Sequence, residues 1–138
     1  MSRFVLDCST TMAWCLQDEA SSRADAVLVS LAAQEAVAPS HWPLEVANVL
    51  TLCERRGRVS DARIGEFLGF LNTLPITIDD QTAKKAFGDV LTLARTHQLT
   101  AYDAAYLELA LRTGCPLASL DATLNEAAAG LGIALFEG

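Results

Sequence analysis

The chain has 138 residues, which fits one folded domain spanning residues 1–138 and leaves no room for two. Hydrophobic residues make up 51% of it and charged residues 20%, which is enough apolar material to bury a core and argues against intrinsic disorder. The formal net charge of −7 argues against a protein that coats nucleic acid through bulk positive charge. An enzyme that binds a few phosphates through bound cations is compatible with that charge.

The amino-terminal segment gives no sign of export or membrane insertion. Residues 1–19 contain only brief apolar runs, without the basic start, long apolar stretch and small-residue cleavage site of a signal peptide. No window reaches the roughly 18 apolar residues that span a bilayer. We therefore expect a cytoplasmic protein that does not associate with membranes.

The cysteines and histidines do not form a zinc pattern. None of the four cysteines belongs to a CxxC pair, and neither His41 nor His97 lies at zinc-ligand spacing from another candidate ligand. Cys15 and Cys53 lie among apolar residues and are expected to be buried free thiols. Cys8 has no histidine nearby in the sequence that would activate it as a nucleophile.

Apolar spacing in the first half of the chain predicts two short strands and four helices. Ser9 or Thr10 is expected to cap the first helix, and Ser60 the fourth. The third helix carries apolar residues at offsets of four, seven, eight and eleven from Trp42 and ends at Gly57. In chain order, the predicted elements are a strand at 3–6, helices from about 9 to 16 and from 21 to 34, a strand at 37–38 and a helical hairpin over about 42–73.

The second half of the chain continues this alternation. Gly114 stops the helix that begins near Thr100, and Pro116 follows it, which is the expected punctuation. Asp121 begins the last helix. The predicted elements are a strand at 75–78, helices from 82 to about 96 and from 100 to about 113, a strand at 117–119, a helix from 121 to about 129 and a strand at 133–135.

This alternation predicts an α/β protein with three layers, α/β/α. A central, mostly parallel sheet of five strands would carry helices on both faces. In such open sheets, ligands bind at the carboxyl ends of the strands, near the point where the strand order switches. We therefore expect the functional residues at that edge of the sheet.

Four acidic residues are expected at this edge. Asp7 follows the first strand and Asp121 follows the fourth. Glu45 and Asp103 lie in the first turns of two helices, and first-turn side chains point toward the amino end of the helix, which lies at the same edge in a βα unit. The predicted topology therefore brings together carboxylates that are far apart in the sequence.

Each of these acids also has a simpler explanation. Acidic residues are favoured in the first turn of a helix by the backbone dipole. Asp7 and Asp121 could be helix N-caps, the pair Thr100 and Asp103 resembles a capping box, and Glu45 could be a surface residue near a helix start. For any one acid taken alone, the capping interpretation is favoured.

The set as a whole is harder to explain by capping. Four like charges at one opening repel one another and raise each other's pKa, so stability alone gives no reason to collect them. Divalent cations would offset the repulsion, and ligation by carboxylates alone suits Mg²⁺ or Mn²⁺. Two such ions about 4 Å apart can activate water and stabilise the leaving oxygen of a phosphodiester, so no protein nucleophile is required.

Three polar residues could orient the metal ligands or a water from a second shell. Asn48 lies one turn after Glu45 on the same face of the predicted helix. Ser9 lies two residues after Asp7, and Ser119 lies near the end of the fourth strand. For the two serines, local capping or turn formation is an equally good explanation.

Four segments resemble the motifs of PIN domains, in order and at fitting intervals over nearly the whole chain. Residues 4–9 (FVLDCS) resemble the opening strand of these domains, and residues 43–48 (PLEVAN) their second acidic motif. Residues 99–107 (LTAYDAAYL) are similar to the third motif and residues 116–121 (PLASLD) to the fourth. Each motif alone is weak, but four in order are specific. The closest resemblance is to the VapC-type toxins of toxin–antitoxin operons.

This resemblance implies a PIN-like fold and an endoribonuclease, dependent on Mg²⁺ or Mn²⁺, that cleaves single-stranded or looped RNA. It also implies a homodimer and a small antitoxin that blocks the acidic site. By position, the catalytic and metal-binding roles fall to Asp7, Glu45, Asp103 and Asp121. Ser119 stands where the family often has Thr, which keeps the hydroxyl. Cys8 stands where a small residue such as Ala is common, which opens the site to oxidation.

Three other phosphate-handling classes fit the sequence less well. A receiver domain needs an acidic pair after its first strand and a lysine late in the chain, but Asp7 has no acidic neighbour and no lysine follows Lys85. A haloacid-dehalogenase-like phosphatase needs a second aspartate where Ser9 stands. The sequence has no Walker loop, because no glycine stands directly before a lysine.

Two alternatives stay open. A non-catalytic interaction protein could use a PIN-like scaffold, because function does not follow from fold, although the presence of all four acids disfavours it. A DNA nuclease with the same metal chemistry is also compatible, because the sequence does not show a preference for the 2′-hydroxyl.

The basic stretch Arg55, Arg56 and Arg58 is interpreted as a solvated helix end rather than an RNA contact. Apolar surface left over on the helical hairpin would suit a dimer or an antitoxin.

Overall fold

The structure is a computed structural model that describes residues 2–138. Within this range the strands are β1 (Arg3–Leu6), β2 (Glu35–Ala38), β3 (Ile76–Ile78) and β4 (Leu117–Ala118). The helices are α1 (Cys8–Ala13), α2 (Ser22–Ser30), α3 (Trp42–Arg55), α4 (Asp61–Leu71), α5 (Thr82–Lys85), α6 (Leu91–His97), α7 (Ala101–Thr113) and α8 (Ala122–Gly130). A 3₁₀ turn covers Gln17–Glu19, and a π-helical turn covers Ala86–Val90.

The strands of the described chain form one parallel sheet in the order β3-β2-β1-β4. Val5 of β1 is paired with Val37 of β2 on one side and with Leu117 of β4 on the other. From β1 the chain moves outward through β2 and β3, and β4 is then added on the opposite side of β1. The strand order therefore switches between β1 and β4, and a ligand site is expected at the carboxyl ends of these two strands.

Helices cover both faces of the sheet, as the sequence predicts. Successive side chains of a strand point to opposite faces. Phe4, Val5 and Leu6 of β1 are all completely buried. A strand buried on both sides requires a layer of helices above and below it, which is typical of parallel sheets.

The predicted fifth strand is the main difference in the sheet. Within residues 2–138 the sheet has four strands rather than five, and Leu135 forms only an isolated parallel bridge with Leu117. The segment begins too close to α8 to extend further, because the backbone N–H of Ile133 still donates to the Ala128 carbonyl (2.9 Å). Phe136 instead stacks on Phe4, with the ring centroids 4.2 Å apart.

Two of the predicted helices also differ from the observed ones. The continuous helix predicted from 82 to about 96 is wrong, because α5 and α6 are separated by the π-helical turn, in which Gly88 has a non-helical backbone (φ −106°, ψ −106°). The predicted cap of the first helix is also wrong. Asp7 is the N-cap, since its carboxylate accepts a hydrogen bond from the backbone N–H of Thr10, and the Ser9 hydroxyl itself donates to Asp7.

The first two helices end earlier than predicted, at Ala13 rather than about Leu16 and at Ser30 rather than Gln34. Two other predicted boundaries agree with the structure. Ser60 caps α4 by accepting a hydrogen bond from the backbone N–H of Arg63. Gly114 ends α7 in the left-handed conformation (φ 68°), which a residue with a side chain rarely adopts. No helix within residues 2–138 is both long and apolar enough to cross a membrane.

Candidate active site

A pocket of about 570 Å³ lies where the carboxyl ends of β1 and β4 meet the first turns of α3 and α7. The four acids predicted as ligands all line it. No lysine or arginine is among its lining residues within the described chain. The lining consists of Asp7, Cys8, Ser9, Met12, Glu19, Glu45, Val49, Asp103, Tyr106, Leu120 and Asp121.

Asp7 is the most buried of the four acids because it follows directly on the buried strand β1. Its side chain is only 4% exposed. Its Oδ1 accepts hydrogen bonds from Ser9 Oγ (2.7 Å) and from the backbone N–H of Thr10 (3.2 Å). Its Oδ2 accepts a hydrogen bond from Ser119 Oγ (2.7 Å). The carboxylate is thus held in one orientation by both neighbouring loops.

The environment of Asp7 is unfavourable for a charged group in spite of these hydrogen bonds. Burial raises its pKa to about 6, from an ordinary value of 3.8. The hydrogen bonds from Ser119, Ser9 and Thr10 lower the pKa but do not cancel the effect of burial, and the charge of Asp121 raises it further. Keeping Asp7 ionised at neutral pH therefore costs the fold free energy.

The two serines predicted beside the site also link its two loops. Ser9 Oγ accepts a hydrogen bond from the backbone N–H of Leu120 (2.9 Å). Ser119 Oγ accepts one from the backbone N–H of Asp121 (3.0 Å). Since both hydroxyls also donate to Asp7, each serine ties the loop after β4 to the loop after β1 through one carboxylate. Local turn formation and orientation of the Asp7 carboxylate are therefore combined in the same side chains.

Asp121 is the N-cap of α8. Its Oδ1 accepts hydrogen bonds from the backbone N–H groups of Thr123 (2.9 Å) and Leu124 (3.1 Å). The capping explanation is therefore correct for Asp121 as well as for Asp7. It does not compete with a place in the pocket, since both capping aspartates line it.

Glu45 lies in the first turn of α3 and is half-buried. Its Oε1 accepts a hydrogen bond from the Tyr106 hydroxyl (2.7 Å), and His41 Nε2 lies 2.8 Å from the same oxygen. Burial acts to raise the pKa of Glu45, but the contacts with His41 and Tyr106 outweigh it, and the pKa is lowered. Glu45 is thus kept ionised inside an acidic pocket.

Asp103 differs from the other three acids in having no hydrogen bond to its carboxylate from the described residues. Thr100 caps α7 by accepting a hydrogen bond from the backbone N–H of Asp103 (3.1 Å), but the reverse contact of a capping box is not formed. Burial raises the pKa of Asp103, and the charges of Asp121 and Glu45 raise it further. This mutual repulsion indicates that the carboxylates share one electrostatic environment.

Three residues at the site were not identified from the sequence. Tyr106 lies three residues after Asp103, and His41 lies four residues before Glu45, so helical spacing alone places each beside an acid. Both could have been found in this way. Glu19 adds a fifth carboxylate to the pocket from the 3₁₀ turn, and no periodic pattern in the sequence marks that turn.

Two groups of polar residues lie away from the pocket. Asn48 is exposed and does not line it, so the structure does not bring it together with the two serines. Arg58 binds Asp18 with two nitrogen atoms, at 2.9 to 3.2 Å, and so connects the α3–α4 turn to the 3₁₀ turn. Arg58 of the basic stretch is therefore bound at the end of α3 and does not line the acidic pocket, although its Nη2 lies 3.9 Å from Oε1 of Glu19, which does.

The cysteines are free thiols in the described chain. Cys15 and Cys53 are buried, which confirms the prediction for them. Burial strongly raises the pKa of Cys8, and the charges of Glu45 and Asp7 add to the effect. The Cys8 sulfur therefore stays protonated and is a poor nucleophile, since the thiolate is the reactive form.

The pocket suits a divalent cation in the kind of its donors. Hard cations such as Mg²⁺ and Mn²⁺ prefer carboxylate oxygens, and the described lining supplies these without a lysine or arginine to neutralise them. As they stand, however, no three His, Cys, Asp or Glu side chains within residues 2–138 are grouped closely enough to hold one ion. The donor set fits a divalent ion, whereas its spacing is not that of a formed metal cage.

Comparisons with known proteins agree with this architecture. The PIN-domain family matches residues 4–130. Ribonuclease VapC3 from Pyrobaculum aerophilum is 31% identical over 124 residues, which cover 90% of this chain and 93% of that protein. The crystal structure of PAE2754, also from Pyrobaculum aerophilum, has a TM-score of 0.66 and 23% identity over 91% of this chain and 86% of that chain, which shows a shared fold. The resemblance carried by the four acidic motifs is therefore confirmed, and this chain belongs to the PIN-domain family.

Proposed function

We propose that this protein is a metal-dependent endoribonuclease and the toxic component of a toxin–antitoxin pair. The observation that carries the proposal is the pocket in which Asp7, Glu45, Asp103 and Asp121 converge without a basic side chain in the described lining. Membership of the PIN-domain family and the similarity to a protein named as a VapC ribonuclease support it. The same four acids are proposed as the ligands of Mg²⁺ or Mn²⁺.

A bound divalent cation would supply Lewis-acid chemistry, which activates water and stabilises negative charge on the phosphate. The chain's own part is to hold the acids that bind it. Ser9 and Ser119 fix the orientation of Asp7, and the backbone of α8 fixes Asp121. Asp103 is free of such partners within the described chain and can adjust its position. Without a cation, the acids would repel the phosphates of RNA.

The described lining of the pocket contains no histidine, and its one thiol has a raised pKa, which fits this chemistry. The Cys8 thiol stays protonated, as its raised pKa shows. His41 contacts Glu45 and does not line the pocket. The described lining thus consists of carboxylates, two hydroxyls, one thiol and apolar side chains, and the nucleophile in the proposal is water.

Partners follow from the same proposal. A small antitoxin would cover the acidic pocket, and a second copy of the chain would form a homodimer. Several large apolar side chains on the surface support such contacts, among them Leu44 at 74% and Phe87 at 94% exposure. A short reading frame immediately upstream that encodes a partly basic, DNA-binding-like protein would support the toxin assignment.

The nuclease assignment is tested by incubating the purified chain with matched single-stranded RNA and DNA. We expect cleavage of RNA that EDTA abolishes and that Mg²⁺ or Mn²⁺ restores. Cleavage of DNA alone would support the DNA nuclease alternative. Intact RNA in the presence of either metal would contradict the proposal and favour a non-catalytic interaction protein.

A pair of matched variants separates metal binding from the stabilising effect of an acid in the first turn of a helix. Asp103 and Asp25 are both acids in the first turn of a helix, but Asp25 is exposed on α2 and lies outside the pocket. Asp103→Asn is expected to lose roughly a hundredfold or more in cleavage rate, by analogy with the removal of other charge-stabilising groups. Asp25→Asn is expected to keep wild-type activity. Equal activities in the two variants would overturn the assignment of Asp103.

A further inference from the structure

Tyr106 connects two helices that lie far apart in the sequence. Its ring is buried within α7, with 1% of its surface exposed. Its hydroxyl donates a hydrogen bond of 2.7 Å to Oε1 of Glu45 on α3. A hydrogen bond from a neutral donor to an ionised acceptor is among the stronger kinds in proteins, and a buried hydroxyl that lost its acceptor would pay a desolvation cost.

His41 makes a second contact with the same oxygen of Glu45. Its Nε2 lies 2.8 Å from Oε1, although without the alignment that a hydrogen bond requires. The His41 ring is packed edge-on against Tyr106, with the ring centroids 5.2 Å apart, and tilted against Tyr102 at 5.8 Å. The histidine is therefore fixed by two aromatic rings, and the only aligned donor to Glu45 in the described chain is Tyr106.

These contacts involve only one of the two carboxylate oxygens of Glu45. Oε1 has two neighbours, and Oε2 has no hydrogen-bond partner within residues 2–138. Because Glu45 lines the pocket, the side chain carries one oxygen that is held and one that is free for a ligand. The carboxylate has lost part of its rotational freedom before any ligand binds, which reduces the entropy cost of binding.

We propose that Tyr106 is a positioning residue, whose hydroxyl holds Oε1 of Glu45 so that Oε2 is presented to a divalent cation. The inference rests on the proposed function and assigns a role to a residue outside the four acids. Removal of an outer partner of a metal ligand typically lowers metal affinity by 10- to 100-fold. Since His41 still contacts Oε1 when Tyr106 is changed, we expect a loss near the lower end of that range.

The chain offers a matched control for this role. Tyr102 and Tyr106 lie one turn apart on α7, and both rings pack against His41. The Tyr102 side chain is exposed, and its hydroxyl has no hydrogen bond to the described residues. Tyr106→Phe and Tyr102→Phe therefore remove the same atom from two similar tyrosines, of which only one contacts Glu45.

The test is a titration of each purified variant with Mn²⁺ alone, followed by electron paramagnetic resonance of the free ion. Tyr106→Phe is expected to bind Mn²⁺ about tenfold more weakly than wild type, and Tyr102→Phe with wild-type affinity. In RNA cleavage, Tyr106→Phe is expected to lower kcat at limiting Mn²⁺, to leave KM for RNA unchanged, and to recover when excess Mn²⁺ is added. A merely structural role would lower the melting temperature without changing Mn²⁺ affinity, and that result would overturn the inference.

A double-mutant cycle tests whether Tyr106 acts through Glu45. In the Glu45→Gln background, Tyr106→Phe is expected to cause no further loss of Mn²⁺ affinity, since coupled residues are not additive. Additive losses would contradict the inference. Should Tyr106→Phe not fold, His41→Asn leaves Tyr106 as the donor to Oε1 and is expected to keep most of the Mn²⁺ affinity. A tenfold or larger loss in His41→Asn would show that His41 holds Glu45 and would overturn the assignment to Tyr106. A wild-type chain that binds no Mn²⁺ would overturn both proposals, whereas unchanged affinity in Tyr106→Phe would overturn this one alone.

Discussion

Two regions of the molecule contain several carboxylates, and they differ in whether an arginine is paired with them. At the far end of α7, Arg112 binds Asp79 with two nitrogen atoms (2.8 and 3.1 Å) and also binds the buried Glu108 (2.7 Å). In the pocket, none of the described lining residues offers such a cation to Asp7 or its neighbours. The first region is a structural cluster paired with arginine. The second is an acidic site with no arginine or lysine among its described lining residues, where Arg58 lies 3.9 Å from Glu19 and His41 contacts Glu45.

The pKa values follow the same division. The Arg112 guanidinium holds the pKa of Asp79 below its ordinary value, and Asp79 together with Glu108 raises the pKa of Arg112. Burial instead raises the pKa of Asp7 to about 6 and also raises that of Asp103. This fold can therefore pair a buried acid with arginine, as at Glu108, and does not do so at Asp7 in the pocket. A cation supplied from outside would complete that site.

The largest expected effect comes from neutralising the pocket at its most buried acid. Asp7→Asn is expected to lose roughly a hundredfold or more in RNA cleavage. Because an ionised Asp7 is unfavourably buried, the same change should raise the free energy of unfolding at pH 8, by up to about 3 kcal/mol. Urea denaturation in EDTA and a cleavage assay measure the two effects. Reduced stability together with full activity would contradict the claim that the charge of Asp7 serves function at the expense of stability.

The matching change in the cluster around Arg112 should lower stability and leave activity unchanged. Arg112→Met leaves the Glu108 carboxylate buried without its arginine and is expected to lower the free energy of unfolding by roughly 2 kcal/mol. The specific activity of the folded fraction should stay at the wild-type level, since Arg112 does not line the acidic pocket. A large loss of activity with unchanged stability would show that the two regions are not separate in function.

A smaller effect is expected in the pH dependence of stability. The pKa of Asp7 is higher in the folded state than its unfolded value of 3.8, so the folded state gains stability as the pH falls from above 6 toward 4. Asp79 contributes with the opposite sign, because its pKa is lowered and its stabilisation is lost in acid. In metal-free protein, the stability advantage of Asp7→Asn at pH 8 should shrink by roughly 1–2 kcal/mol at pH 5. A constant advantage would contradict the raised pKa.

The sequence predicted the parts of the fold that local chemistry determines. The boundaries at Ser60 and Gly114 follow from capping and from the left-handed conformation that glycine tolerates. The break at Gly88 was missed because the apolar stripe continues across it, and a single glycine within a helical pattern does not specify a π-helical turn. The strand expected at 133–135 has the right residue types, but the end of α8 leaves only Leu135 to pair.

For the site, the sequence predicted where the acids lie but not every side chain that contacts them. Topology was enough to place Asp7 and Asp121 at the ends of neighbouring strands, where the structure brings them into one pocket. The contact of His41 with Glu45 follows from helical spacing within α3. The contact of Tyr106 with Glu45 depends on how α3 and α7 pack together, which the sequence does not show. Whether these carboxylates bind metal is a prediction that the experiments above test.

The central claim is that the acidic pocket binds divalent ions, and a crystal soaked in Mn²⁺ tests it most directly. We expect anomalous density in the pocket, in contact with oxygens of Asp7, Glu45, Asp103 or Asp121, and no such density in Asp7→Asn. Density confined to the protein surface, with the pocket empty at saturating Mn²⁺, would contradict the account.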